Sequence, residues 1–246
     1  MADKLITAAM VVIGNEILSG KVADSNSYFL ARALRAAGVV LARIVVVADD
    51  VETIGEVVRE CADRYDLVFT SGGIGPTHDD MTMDGIARAF ARRVVHHPDL
   101  RAAIERAVGN RPASAYLKMA EVPEGATLVD AANDGFPTVV VENVHVLPGI
   151  PEIFEAKVRA LCDTFRTRPF HVRQILLSAN EASIADHLYA TLAQFPDLLL
   201  GSYPKLSDPE YRVRLTLESK DEAYVDDALN DLIARLPAEY IVRVER

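Results

Sequence analysis

Little in this sequence is available for cross-linking or for strong attraction to polyanions. Only two of its 246 residues are cysteine. Cys61 and Cys162 each fall on an apolar helical position with no metal-type spacing between them, so they read as buried free thiols. Basic residues are outnumbered, 26 Lys and Arg against 36 Asp and Glu. A formal charge of −10 without any Lys/Arg cluster excludes a broad nucleic-acid footprint. No apolar run approaches the roughly 20 residues that span a bilayer. Asp3, Lys4 and the break at Gly14-Asn15-Glu16 argue against a signal peptide in the apolar first stretch. Internal repeats and low-complexity tracts are missing as well. The expectation is a cytoplasmic globular protein with no membrane or nucleic-acid partner, long enough for one large core or two modest ones.

What is present is alternation. Leu5 to Ile13 is strand-like. Ser25 is placed to cap a helix whose inner face carries Phe29, Leu30, Ala33, Leu34 and Ala37, ended by Gly38. Val39 to Val47 is a second strand, Asp50 caps a helix over Val51 to Arg64, and Asp66 to Thr70 is a third strand. This β-α-β-α-β order predicts a parallel sheet with helices on both faces. His96 to Ala120 reads as a helix interrupted near Gly109-Asn110-Arg111-Pro112. Strand-like pieces follow, and Glu152 to Arg166 reads as a helix entered stiffly through Pro148 and Pro151.

The stretch Thr70-Ser71-Gly72-Gly73-Ile74-Gly75-Pro76-Thr77-His78-Asp79-Asp80-Met81-Thr82 carries the most chemistry. It lies between a buried strand and a helix predicted over Met81 to Ala91. Glycines allow close backbone approach and the first N–H groups of a helix point at an anion, so the stretch can cradle a phosphate. Its bland alternative is a tight connection. The spacing fits neither the dinucleotide nor the P-loop fingerprint. Asp79 and Asp80 would repel a bare phosphate and make more sense as holders of a metal that bridges to it. His78 is placed to bond a phosphate oxygen. His96-His97, lacking a partner at ligand spacing, reads as a surface or loop pair.

Gly14-Asn15-Glu16-Ile17-Leu18-Ser19-Gly20 follows the first strand, at the edge where open parallel sheets bind ligands. Glu16 is either a third carboxylate near Asp79 and Asp80 or a loop cap. Asp24, in Asp24-Ser25-Asn26, is either a ligand contact or a helix cap. Asp50 has its capping duty, whereas Asp49 has no simple structural task and is the better functional candidate.

Beyond Arg166-Thr167-Arg168-Pro169 the pattern changes. Strands over Val172 to Ser178, Leu198 to Tyr203, Tyr211 to Glu218 and Tyr240 to Val244, with helices over Glu181 to Gln194 and Asp221 to Leu236, give β-α-β-β-α-β, a ferredoxin-like order. The domains expected are thus 1–168 and a small α+β module over 171–246.

At the glycine motif, at Gly14 to Gly20, at Asp24-Ser25-Asn26 and at Leu147-Pro148-Gly149-Ile150-Pro151, the chain resembles the molybdopterin-binding (MoaB/Mog) family. The match is closest to the branch of competence/damage-inducible protein A and the molybdopterin-binding-like domain of eukaryotic FAD synthase. Asn15 stands where the family often has Asp or Thr. The resemblance implies a Mog-type three-layer α/β/α domain with a mostly parallel sheet that binds a pterin phosphate or an adenosine diphosphate compound. In the family's molybdenum-cofactor enzymes, two aspartates serving adenylyl transfer fall on Asp80 and Asp49, the catalytic candidates. Ser71, Gly72, Gly73, Gly75, Thr77, His78, Asn15, Asp24, Pro148 and Gly149 are the substrate-binding candidates. Asp79, Asp80 and Glu16 are the candidates for holding Mg²⁺, Mn²⁺ or Co²⁺.

For the nearest branch the implied activity is divalent-metal-dependent hydrolysis of a pyrophosphate such as that of ADP-ribose or FAD. The alternatives are a molybdopterin-binding or adenylyltransferase protein and a non-catalytic nucleotide-binding module. No segment resembles a nicotinamide-nucleotide amidase or a PAPS-reductase-like domain, so neither deamidation nor FAD synthesis is expected. The family also implies a homo-oligomer, a dimer ahead of a trimer, joined through the Mog-type domain.

Overall fold

From Ala8 to Ile13 every side chain of the first strand is buried. A strand buried on both faces belongs inside a parallel sheet covered by helices, and β1 (Thr7–Ile13) lies between two parallel neighbours. The computed structural model describes residues 5–109, 116–130, 136–205, 207 and 209–246, and the chain divides into two units, 1–167 and 168–246.

In the first unit β1 is followed by α1 (Asn15–Leu18), α2 (Ser25–Ala36), β2 (Val40–Val47), α3 (Val51–Arg64), β3 (Leu67–Ser71) and α4 (Thr82–Ala89). Next come β4 (Val94–His96), α5 (Pro98–Val108), a 3₁₀ turn (Tyr116–Ala120), β5 (Glu121–Pro123), β6 (Thr127–Val129), β7 (Thr138–Val141), β8 (Val144–Leu147) and α6 (Pro151–Phe165). The sheet order is β2-β1-β3-β8-β7-β6, with β4 and β5 as a separate ribbon. β2, β1, β3 and β8 run parallel, while β7 is antiparallel to both of its neighbours.

Strand alternation distributes β1 between two cores. Ala9, Val11 and Ile13 pack with Ile54 and Val58 of α3 and Ile86 of α4. Ala8, Met10 and Val12 pack with Leu30 and Leu34 of α2 and Phe154 and Val158 of α6. The result is the three-layer α/β/α architecture expected. Cys61 and Cys162 are buried free thiols, one in each core.

The helix starts needed correction. Asp24, not Ser25, caps α2, its carboxylate accepting from the Ser27 N–H at 3.0 Å. The helix expected over Met81 to Ala91 is shorter: Met81 is the N-cap, and Ala91 turns left-handed with φ 51°. α5 stops at Val108, where Gly109 takes φ 60°; the rest of the expected interruption, Asn110 to Pro112, lies outside the described residues.

The second unit comprises β9 (His171–Leu177), α7 (Glu181–Gln194), β10 (Leu199–Pro204), β11 (Val213–Ser219), α8 (Glu222–Arg235) and β12 (Ile241–Glu245). Its antiparallel order β10-β11-β9-β12 is the ferredoxin-like arrangement. Val213, Leu215 and Leu217 of β11 face Val225, Leu229 and Leu232 of α8 in one core. Arg212 lies outside β11, and Arg214 stands on the strand's polar face.

Phe154 is fully buried among α2, β1 and β3 side chains. Phe154→Ala is expected to destabilise the chain by about 3–5 kcal/mol, read from the urea midpoint at unchanged slope.

Candidate functional site

β1, β3 and β8 all end at one edge of the sheet, and their trailing loops meet at Gly72. This residue has φ +99°, and a Cβ on it would stand 2.2 Å from the Ile13 carbonyl oxygen. Its N–H donates to the Leu147 carbonyl at 3.2 Å. Only glycine satisfies both the backbone angle and the approach. Thr82, wholly buried at the start of α4, fastens the glycine turn: its hydroxyl donates to the Gly72 carbonyl at 2.8 Å and its N–H to the Gly73 carbonyl at 3.0 Å.

Beside this junction lies a small cleft of about 70 Å³, open to solvent and lined in part by Glu16, Asp24, Asn26, Ser71, Gly72 and Gly149. Asn26 stitches it together. Its amide donates to the Ser71 hydroxyl and to the Gly149 carbonyl, both at 2.9 Å. That carbonyl can only accept, which fixes the amide orientation and leaves Asn26 Oδ1 buried without a hydrogen-bond partner. The Ser71 hydroxyl in turn donates to the Pro148 carbonyl at 3.4 Å.

The remaining sequence candidates lie around the cleft. Asp49, expected to have no structural duty, has one: its Oδ2 accepts from the Asn15 N–H at 2.8 Å and anchors the short helix that carries Glu16. Asp50 caps α3 through the Thr53 N–H and hydroxyl, as expected. Asp80 folds back on its own loop, Oδ2 accepting from the Thr77 N–H at 2.8 Å and from the Thr77 hydroxyl. Hydrogen bonding within the same loop also holds the Asp79 carboxyl below the usual carboxylate range. His78 is almost fully exposed, its Nδ1 3.9 Å from Asp79. Gly73, Gly75, Thr77, His78, Asp79 and Asp80 thus form the loop above the cleft and are not among its lining residues.

Glu16, Asp79 and Asp80 are not gathered: among the described residues no three His, Cys, Asp or Glu side chains stand where they could share a metal ion. The donor chemistry still suits a hard cation, because all three offer anionic oxygen, and Mg²⁺ is commonly held by one or two carboxylates plus substrate phosphate. His97 accepts from the Asp99 N–H and caps α5, a structural use of the histidine pair.

Three participants went unread in the sequence. Asn26 and Thr82 stood inside quoted motifs without an assigned role. Lys118 comes from the 3₁₀ turn, and its ammonium donates to the Thr77 carbonyl and, at 3.0 Å, to the Asp80 carbonyl. A larger, more open depression of about 610 Å³ lies at the opposite end of the strands, but its guanidinium groups, Arg59 and Arg92, are paired with Asp63 and Glu142.

Residues 9–168 match the family model described as a probable molybdopterin binding domain. The chain belongs to that family. Residues 169–245 match a second model, the FAD synthase middle domain. Among curated relatives, a protein of Archaeoglobus fulgidus is 34% identical over 89% of this chain and 93% of its own length. A probable FAD synthase of Caenorhabditis elegans is 33% identical over 92% of this chain, which spans about half (49%) of that relative. Among solved structures, the CinA protein of unknown function from Thermoplasma acidophilum is similar at 32% identity and TM-score 0.60, over 65% of this chain and 98% of that one. This molybdopterin-binding-type domain is thus joined to a FAD-synthase-type domain, and no described helix is long and apolar enough to cross a membrane.

Thr82→Val keeps the shape of the side chain and removes the donor to Gly72. The expected cost is about 1–3 kcal/mol, seen as a lower thermal midpoint together with faster amide exchange across residues 72–82.

Proposed function

We propose that the chain binds the diphosphate of an ADP-containing compound such as ADP-ribose or FAD and, with a divalent metal, hydrolyses the pyrophosphate bond. The observation that carries this reading is the cleft itself. It sets the glycine-turn backbone beside carboxylates from a separate segment, Glu16 and Asp24, at the carboxyl ends of parallel strands. The FAD-synthase name of relatives covering most of this chain supports a nucleotide ligand.

Because Glu16, Asp79 and Asp80 are not gathered, one or two of them together with phosphate oxygens of the ligand would hold Mg²⁺, Mn²⁺ or Co²⁺. Such a metal neutralises charge on phosphoryl oxygens and acidifies bound water. The chain's own contributions are distinct. Gly72 and Gly73 bring main chain close to a phosphate without a side chain in the way. Asp49 holds the Asn15–Glu16 turn in place. Asp80 spends one oxygen on Thr77, leaving the other for a single task, to ligate the cation or to accept a proton from the attacking water. Pro148 and Gly149 close the far side through Ser71 and Asn26.

Purified protein with Co²⁺ or Mg²⁺ is expected to release AMP from ADP-ribose or FAD. Asp80→Ala should lower that rate about 100-fold or more, since a lost ligand or proton acceptor costs several kcal/mol. Unchanged activity in that variant would sink the assignment. The family description over residues 9–168 favours a second reading, binding or adenylylation of molybdopterin. Adenylylated molybdopterin as product without AMP release from ADP-ribose would put that reading first, and nucleotide binding without product would mark a binding module.

We further propose a homo-oligomer, a dimer ahead of a trimer. β2 is an edge strand that leaves Ile44 half exposed, and an exposed apolar edge is a pairing surface. Light scattering at micromolar concentration should give a mass above 26.9 kDa; the monomer mass refutes it.

A further inference from the structure

The glycine loop above the cleft is tied to a cation that forms no ion pair with a carboxylate among the described residues. Lys118 reaches it from the 3₁₀ turn, 38 residues beyond Asp80 in the chain, and donates to the carbonyls of Thr77 and Asp80. Both partners are neutral. Among the described residues Lys118 forms no ion pair. An ammonium has three N–H donors and no acceptor, so two are spent on the loop and one remains with the whole of the charge. Lysines held for structure alone are ordinarily paired with acids or extended into water. This one is half-buried and fixed by main-chain oxygens against a loop whose neighbouring side chains, Asp79 and Asp80, are both acidic. Neither carboxylate forms an ion pair with it: Asp80 turns its oxygen to Thr77 instead, and Asp79 feels the ammonium only as a minor attraction.

We propose that Lys118 is an anion-binding residue that contacts the second, outer phosphate of a diphosphate ligand whose first phosphate lies against the Gly72 turn. The inference rests on the reading of the cleft given above and adds to it a selectivity: a diphosphate is preferred to a monophosphate because only the former reaches the loop above the cleft. A charge-assisted hydrogen bond of this kind corresponds to about a tenfold change in affinity or more.

The test is calorimetric titration of the full chain with ADP and with AMP at constant Mg²⁺, for the wild type, Lys118→Gln and Lys118→Arg. Glutamine keeps N–H donors for the Thr77 and Asp80 carbonyls and drops the charge, so it separates binding from bracing; an unchanged unfolding midpoint verifies the bracing. The wild type is expected to favour ADP by at least about tenfold, Lys118→Gln to lose most of that preference, and Lys118→Arg to keep it. Full preference in Lys118→Gln, or equal affinity for ADP and AMP in the wild type, overturns the role of Lys118 while leaving nucleotide binding at the cleft intact. A wild type that binds neither nucleotide overturns the reading of the cleft instead. Should Lys118→Gln fail to fold, Lys118→Arg decides: a folded arginine variant without the preference refutes the proposal.

Discussion

The close approach of Gly72 to the Ile13 carbonyl holds this site together. Parallel neighbours β1 and β3 end side by side, and the chain leaving β3 must turn across the end of β1 instead of continuing along it. A left-handed glycine makes that turn with its α-carbon against the Ile13 oxygen, while its N–H takes the end of β8. Any side chain there would push the three strand ends apart. The same turn brings Gly72 within 3.3 Å of where a Cβ on Gly149 would lie, so the two loops that border the cleft are in close contact and a side chain on Gly149 would have to push them slightly apart. Thr82 then fixes where α4 begins, and the whole acidic loop is suspended between these two anchors.

The layers of the fold were legible because burial dictates them. Six consecutive buried residues in β1 can only be an interior strand, and the helical spacing of Leu30 with Leu34, or of Ile54 with Val58, tells which face each helix covers. The order of the second unit was legible for the same reason, through the alternation of Val213, Leu215 and Leu217. Helix starts were less so. Asp24 and Ser25 are both good caps, and only the Ser27 N–H, 3.0 Å from the Asp24 carboxylate, separates them.

The chemistry was legible as a list of residue types and not as an arrangement. Asp49 looked free because its partner, the Asn15 N–H, is a main-chain group from another strand's loop, and main-chain donors leave no mark on sequence. Asn26 looked like a helix-start residue because its partners, Ser71 and Gly149, lie 45 and 123 positions away. Lys118 escaped for a further reason: a lone lysine in an irregular stretch has no periodicity to single it out. In each case the missing information is long-range pairing between a side chain and backbone.

The electrostatics of the site then follow from how its few charges are spent. A chain of net charge −10 that offers Glu16, Asp24, Asp79 and Asp80 to a phosphate must supply positive charge or repel its ligand. Asp80 already partly removes itself, because hydrogen bonds from the Thr77 N–H and hydroxyl spread its charge over the loop. Asp24 is likewise committed to the Ser27 N–H at the N-terminus of α2, where a negative charge is favourable. That leaves Glu16, beside the cleft, as the carboxylate with the most freedom, while Asp79 on the loop is held by hydrogen bonds of that loop. In the proposed reading they flank the two regions a diphosphate would have to join, so compensation would be needed at both phosphates, and a single cation at either end would leave the other repelled.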